Sequence, residues 1–262
     1  MTIMLVTGTG TEIGKTVVTA AVASLALGAG RRVAVLKPAQ TGVAPEEPGD
    51  IDEVVRLAGE LTTSELGRYP EPLAPATAAA RSGLPPVSPE QIAKEAARLT
   101  LDHDLVLVEG AGGLLVRYDE QGSTLAEVPR ALEALGHDCA VLLVTTAGLG
   151  TLNTTALTAE ALRARDVPLL GLVIGAWPAE PDLAARCNLA DLPVVAGAPL
   201  LGALPDGLTG DGAVRDGAAA CVGADRASLR TTARSCLAPA LGGVWEGGIW
   251  EGELPAAPSL SR

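Results

Sequence analysis

Gly8-Thr9-Gly10-Thr11-Glu12-Ile13-Gly14-Lys15-Thr16 directly follows the apolar run Ile3–Val6, apart from Thr7, and its residue types suit the holding of a polyphosphate. Glycines let the backbone curl until successive N–H groups face one anion. A helix opening at Gly14 adds the positive end of its dipole. Lys15 then reaches the β- and γ-phosphates, and the Thr16 hydroxyl is a ligand for Mg2+. The common phosphate loop has four residues between its first glycine and the Gly-Lys-Ser/Thr end. Here residues 9–13 make five. The extra residue lengthens the curl and leaves the chemical end, Gly14-Lys15-Thr16, in place.

Other residues suit the same ligand. Leu105–Val108 are apolar and lead to Glu109, then Gly110-Ala111-Gly112-Gly113. An acid that ends a buried strand beside a phosphate loop is the expected second anchor for Mg2+; the alternative is an acid facing water. The glycines allow close backbone approach to a ligand. Lys37 ends the apolar run Val33–Leu36, with Pro38 expected to stop the strand and Thr41 following. Lys37 either meets phosphate or snorkels to solvent. Asp50 opens a helical pattern, either as a metal ligand or as an N-cap, and Asp52 is the other carboxylate of that turn. Gly148-Leu149-Gly150 precede a helix beginning near Thr151, with Leu152 and Asn153 in its first turn. That is a second anion-ready terminus or a plain cap.

Of the 19 basic residues, only Lys15, Lys37 and Lys94 are lysines. A compact ammonium touches a crowded phosphate end-on, where the planar guanidinium fork does not fit. Lys94 lies in an amphipathic helix and is expected to be solvated. His103 and His137 lie just before strands, at the opposite edge, so no histidine general base is expected.

Strand and helix patterns alternate around these residues. Strands are expected at Ile3–Thr7, Val33–Lys37, Leu105–Glu109, Ala140–Val144, Leu169–Ile174 and, more weakly, Val194–Val195 with Leu200–Leu204. They are apolar on both faces, as buried parallel strands are. Helices are expected at Gly14–Gly28, Ile51–Leu61, Pro89–Leu101, Thr124–Leu135, Thr151–Arg165 and Asp182–Ala190, with a further helix within residues 225–241. The alternation predicts an α/β fold: a doubly wound, mainly parallel sheet with helices on both faces and ligands at the carboxyl ends of the strands. One domain is expected over residues 1–237. Residues 238–262, rich in Gly, Pro and Trp, form either a flexible tail or a segment that docks on a partner subunit through Trp245 and Trp250.

Composition excludes several classes. The net charge of −12 argues against nucleic acid or an anionic membrane as the main partner. No apolar run approaches a membrane span, and the N-terminus lacks the basic start of a signal peptide. The four cysteines show no C-x-x-C spacing, so reduced thiols in a cytoplasmic protein are expected.

Taken together, Gly8–Thr16, Lys37–Gly42, Val108–Gly113 and Gly148–Asn153, in this order, resemble the dethiobiotin synthetase family, over roughly residues 2–206. That family has the five-residue spacer in a phosphate-loop NTPase fold. The resemblance implies a homodimer with active sites at the subunit interface. It implies ATP- and Mg2+-dependent closure of a ureido ring on 7,8-diaminononanoate with CO2. By the same resemblance Thr11, Glu12, Ile13, Gly14, Lys15, Thr16 and Val17 bind phosphate, Lys15 and Lys37 are the catalytic cations, and Thr16, Asp50 and Glu109 anchor Mg2+. Asp50, Glu109, Gly110, Ala111 and Gly112 line the nucleotide. Thr41 and Gly113 contact the diamine. Gly148, Leu149, Gly150, Thr151, Leu152 and Asn153, from the partner subunit, receive its tail carboxylate. The family often reads adenine with Asn at the end of strand five of the pattern. Gly175 and Ala176 stand there, so backbone groups near them and at Pro205, Asp206 and Gly207 take that role.

Two rival readings share the loop. A ParA/MinD-like ATPase switch would carry a further lysine early in it, where this chain has Gly8-Thr9-Gly10. A cobyrinate-type amidoligase needs a glutaminase domain with a nucleophilic cysteine. No Asn-Lys-x-Asp guanine motif occurs, and the interface cysteines of a nitrogenase reductase are missing.

Overall fold

Seven parallel strands make one sheet in the computed structural model, which describes residues 2–208 and 226–246. In chain order they are β1 (Thr2–Gly8), β2 (Val33–Thr41), β3 (Thr62–Tyr69), β4 (Leu105–Glu109), β5 (Cys139–Thr145), β6 (Leu169–Trp177) and β7 (Leu200–Pro205). Their order across the sheet is β3-β2-β4-β1-β5-β6-β7. The connection after β1 runs toward the β3 edge, and the one after β4 runs toward the β7 edge. The crevice beyond the carboxyl ends of β1 and β4 is therefore the switch point of the sheet, where α/β folds bind ligands.

Side-chain alternation sorts the helices onto two faces. Met4 and Val6 face the core beneath α1 (Lys15–Gly28), α2 (Asp50–Ala58) and α8 (Arg226–Cys236). Ile3 and Leu5 face the other core, beneath α3 (Pro75–Ser82), α4 (Pro89–Leu99) and α5 (Val128–Glu133). On that same side α6 (Thr151–Arg163) and α7 (Leu183–Ala196) cover β5 and β6. Lys37 and Glu109 fall in step with Val33, Val35, Leu105 and Leu107, so both point to the α1 face. That parity places the two charged ends next to the helix that carries Thr16.

Several elements depart from expectation. β3, Thr-Thr-Ser-Glu-Leu-Gly-Arg-Tyr, is a strand without an apolar run, because it is the sheet edge and pairs only with β2. α3 is signalled by Pro75 in its first turn and by the left-handed Gly83 after its end. Pro38 does not stop β2. Pairing with β4 ends at Leu36, and pairing with β3 continues as Lys37–Glu65 and Ala39–Gly67, so the missing N–H falls where the ladder makes no demand. Val194 and Val195 are not a strand. They close α7, which Gly197 ends in the left-handed conformation at φ 65°. α2 stops at Ala58 because Gly59 turns out at φ 111°. The helix expected over Thr124–Leu135 divides into a 3-10 turn, Leu125–Glu127, and α5, with Pro129 in the first turn of α5.

The chain beyond α8 stays on the fold. Leu237 bridges to Gly202, the Ala238 amide donates to the Leu201 carbonyl at 2.8 Å, and Trp245 packs against the α1-side core. The expected boundary at residue 237 thus falls within a packed segment. Trp250 and the rest of 247–262 lie outside the described residues. No helix among the described residues is long and apolar enough to cross a membrane.

Leu229 of α8 is fully buried against α1. Leu229→Ala removes this contact and leaves a cavity, which costs about 2–5 kcal/mol. Urea unfolding is expected to show the whole loss in one transition with the sheet. A separate early transition would mean that α8 is not part of the same cooperative unit.

Candidate functional site

Between β1 and α1 the chain makes an open curl. Glu12 and Gly14 adopt left-handed conformations, at φ 54° and 89°. The Thr9 amide bonds to the Val144 carbonyl at 3.0 Å, and the next amide to find a backbone acceptor is Val18, on Gly14. From Gly10 through Val17 no amide donates to a backbone carbonyl among the described residues. This row of free donors ends at a helix N-terminus, so its field is positive.

The curl rests on β6. A Cβ at Gly14 would lie 2.6 Å from the Gly175 oxygen, and a Cβ at Gly175 would lie 2.0 Å from the Ile13 oxygen. Backbone touches backbone, so neither position accepts a side chain. Gly175 is the floor under the loop, and no residue with a side chain could read a base from it. Ala176 is exposed beside it, and Trp177 pairs with Pro205. Asp206 donates its amide to the Trp177 carbonyl at 2.9 Å and accepts from the Gly207 amide at 2.8 Å. The segment therefore presents backbone at the loop's side.

Two carboxylates, from the end of β4 and the start of α2, converge on one ammonium. The buried Lys37 ammonium contacts Glu109 Oε1 at 2.9 Å and Asp50 Oδ2 at closer range. Thr16 Oγ1 donates to the same Glu109 oxygen at 2.9 Å. Glu109 is 1% exposed, and its Oε2 has no hydrogen-bond partner among the described residues. A buried carboxylate oxygen without a partner is a strong acceptor directed at whatever cation arrives. No group of three His, Cys, Asp or Glu gathers as a metal centre among the described residues. Two carboxylates and a hydroxyl suit Mg2+, which completes its shell with water and phosphate oxygens.

The two lysines differ electrostatically. Burial by itself would depress Lys37, but Glu109 and Asp50 outweigh it and hold the ammonium above its ordinary range. Burial also depresses Lys15, and the positive Lys37 adds to this, while Glu109 and Asp50 oppose it. Lys15 curls over the loop and donates to the Gly10 carbonyl at 3.0 Å. Two cations this close to one another are poised for a polyanion that neutralises both.

Residues not anticipated from the sequence hold this arrangement. Gln40, 4% exposed, accepts the Asp50 amide at 2.9 Å and so fixes the start of α2. Asp52 is turned away from the lysines: it accepts the Gly49 amide at 2.7 Å and lies 4.0 Å from Arg68. Asp50, not Asp52, faces the site, and Gly49 is the N-cap. The Tyr118 hydroxyl accepts the Ala111 amide at 2.8 Å, fixing the turn 110–113. Gly112 in that turn is left-handed at φ 67°, and Gly113 packs beside Gly8 and Gly10. Gln40 and Tyr118 left no sequence signal, because an isolated amide or phenol has no pattern.

The remaining expected residues lie at the same edge. Thr41 is half-buried at the end of β2. The turn Gly148–Asn153 follows β5, three strands from Lys37, with Leu149 at its tip 93% exposed. His103 sits at the opposite edge, its ring nitrogens 2.8 Å from the Leu99 carbonyl and 2.7 Å from the Thr62 hydroxyl.

Comparison with known proteins adds to this geometry. A family model described as an AAA domain matches residues 2–208. The chain is 61% identical over 246 residues to "ATP-dependent dethiobiotin synthetase BioD" of Streptomyces avermitilis, covering 94% of this chain and 96% of that one. It is 61% identical over 245 residues to the protein of the same name from Saccharopolyspora erythraea, covering 94% and 99%. Among solved structures, the ParA family ATPase from Chlorobium tepidum TLS superposes with a TM-score of 0.49 at 12% identity, covering 78% of this chain and 84% of that one.

Glu109→Gln leaves Lys37 buried with Asp50 alone and is expected to cost about 3 kcal/mol. In the double variant Lys37→Met/Glu109→Gln no ammonium is left unpaired, and part of the loss should return. Lys37 titrates above its ordinary 10.5 in the folded chain, so the pair stabilises fully below about pH 10.5 and fades as pH climbs through the raised value. Denaturant titration of the wild type, Lys37→Met, Glu109→Gln and the double variant, repeated up to alkaline pH, tests this. Strict additivity would mean that the two side chains are not coupled.

Proposed function

The chain belongs to the family of ATP-dependent dethiobiotin synthetases, and on that basis we propose how its strand-edge site closes the ureido ring. The enzyme is a ligase of biotin biosynthesis. It joins 7,8-diaminononanoate and CO2 and converts ATP to ADP and phosphate. The observation that carries the site assignment is the buried Lys37 ammonium between Asp50 and Glu109, beside a loop of free amides. The named relatives favour this reading over an ATPase switch or an amidoligase.

One amine of the substrate attacks CO2, loses a proton and becomes a carbamate. A carbamate oxygen attacks the γ-phosphorus, and the bond from that phosphorus to the ADP oxygen breaks. The product is a mixed carbamic–phosphoric anhydride. The second amine attacks its carbonyl carbon, phosphate leaves, a proton is lost, and the ring is closed. The carbamate and the triphosphate are both anionic, so the chain's task is to hold negative charges together in line. The amides from Gly10 to Val17 cradle the phosphates. Lys15 neutralises the β- and γ-oxygens. Lys37 lies between the carbamate and the γ-phosphate and stabilises charge on both. Thr41 and Gly113 border the diamine. Backbone around Gly175, Ala176 and Pro205–Gly207 borders the base.

Thr16, Asp50 and Glu109 would hold Mg2+, and the unpartnered Glu109 Oε2 supports that donor set. The ion supplies charge neutralisation at the phosphates. Asp50 and Glu109, which pair with Lys37 here, would also be the carboxylates that hold the ion.

The diamine has its amines at one end and its carboxylate at the other. With the amines at the γ-phosphate, the carboxylate needs a receptor several bonds away. The α6 N-terminus, Gly148–Asn153, is suited to it. Within one chain this turn lies three strand spacings from β2, about 14 Å. That separation, with Leu149 uncovered at the tip, supports a homodimer in which the turn completes the partner's site. Free Cys139, Cys187 and Cys236 support a cytoplasmic setting.

Lys37→Gln is expected to lower kcat by about a hundredfold or more in a chain that still folds, with a stability loss like that of Glu109→Gln. Lys37→Arg should not restore it, because the fork does not fit between Asp50 and Glu109. Steady-state kinetics with circular dichroism decide this, and a near-normal kcat in Lys37→Gln would remove Lys37 from the mechanism. The shared site has its own test. Inactive Lys37→Gln chains mixed with inactive Gly150→Val chains should regain activity on subunit exchange, since one of the two hybrid sites is intact. No recovery in verified heterodimers would mean that each chain builds its site alone.

A further inference from the structure

Asn188 lies in the middle of α7, 5% exposed and remote in sequence from every residue assigned to the site. Its Nδ2 donates to the Ala147 carbonyl at 2.7 Å and to the Gly148 carbonyl at 3.1 Å. These are the two carbonyls that lead into the α6 turn. We propose that Asn188 is a positioning residue for the tail carboxylate of the substrate, acting through the turn Gly148–Asn153. The inference rests on the assignment of that turn to the carboxylate.

Packing does not hold the turn. A Cβ built at Gly148 or at Gly150 meets no atom within 4 Å, and Gly150 is left-handed at φ 96°. Glycine on both sides of Leu149 leaves these peptide planes free to rotate. Hydrogen bonds must therefore set their orientation. The Gly148 carbonyl also accepts the Thr151 amide, at 3.3 Å. Underneath, the buried Thr145 hydroxyl bonds to Thr151 Oγ1 at 2.7 Å and to Thr155 Oγ1 at 2.8 Å, anchoring the first helical turn to the end of β5.

The polarity of the turn follows from these bonds. The amides of Leu149, Gly150, Leu152 and Asn153 donate to no backbone carbonyl among the described residues. With the Ala147 and Gly148 carbonyls held inward by Asn188, the turn keeps these two acceptors away from its row of donors. If the peptide after Gly148 rotated, its carbonyl dipole would oppose an incoming carboxylate and its N–H would be lost to it. Asn188 thus fixes the sign of the turn without touching the ligand.

The test compares 7,8-diaminononanoate with 2,3-diaminooctane, the same chain without its carboxylate, in the wild type, Asn188→Ala and Asn188→Leu. Leucine keeps the buried volume and removes the donor, so the comparison survives if the alanine variant folds poorly. In both variants the KM for 7,8-diaminononanoate should rise about fivefold, the worth of roughly one net hydrogen bond. The KM for ATP, the KM for 2,3-diaminooctane and kcat should stay within about twofold of the wild type, because the fault lies only at the carboxylate. Equal rises for both diamines, or a lowered thermal midpoint with unchanged KM values, would overturn the inference and leave Asn188 a structural residue. A wild type that takes both diamines with one KM would instead refute the carboxylate assignment, and this inference with it.

Discussion

A buried ammonium needs anions, and the arrangement of the site follows from that requirement. Lys37 is only 3% exposed, so it must be met by charge at close range, and Glu109 and Asp50 supply it. These three residues come from β2, β4 and the start of α2. β2 and β4 are adjacent only because β4 inserts between β1 and β2 in the sheet. Strand parity then turns Lys37 and Glu109 to one face, toward Thr16 in α1. The cluster is costly for the empty fold to assemble, since it buries charge that water would solvate. It suits a reaction in which carbamate and triphosphate bring their own negative charge to the same place.

The phosphate loop is fixed by a different constraint, contact between two backbones. Gly14 and Gly175 meet where any Cβ would clash, so the loop's curl is registered against the end of β6. This contact has a consequence for nucleotide recognition. The position under the loop is closed to side chains, so under the proposed function the base is left to backbone near Ala176 and Pro205–Gly207. Polar side chains Gln40, Asp52, Tyr118 and Asn188 each bind the backbone of a turn at the carboxyl edge of the sheet. The turns are glycine-rich so that backbone can approach ligand, and this makes them loose. The polar supports restore the order that glycine removes.

Most of the fold was legible because buried parallel strands and amphipathic helices leave strong local patterns. β1, β2, β4, β5 and β6, and α1, α4 and α6, lie where those patterns predict them. Failures occurred where neighbours overrode local signals. β3 has no apolar run because it is an edge strand with one partner. Pro38 stays in β2 because the β4 ladder has already ended. Val194 and Val195, strand-formers by type, finish α7 because Gly197 is the residue that can turn the chain. The glycines and prolines of 238–246 suggest a flexible tail or a segment that docks on a partner, yet Ala238 and Trp245 contact the chain's own fold.

The order of residues along the chain was enough to identify the chemistry. A glycine curl ending in Gly14-Lys15-Thr16, an acid at a strand end and lysines kept in an arginine-rich chain all mark phosphate, because covalent neighbours alone place those groups. The sequence could not choose between Asp50 and Asp52, two residues apart on one helical turn. Only the tertiary structure decides, by giving Asp52 to the Gly49 amide and Asp50 to Lys37. Nor could it show Gln40, Tyr118 or Asn188, whose partners stand 10, 7 and about 40 positions away. Such contacts depend on which helix packs on which strand, and no local pattern encodes that.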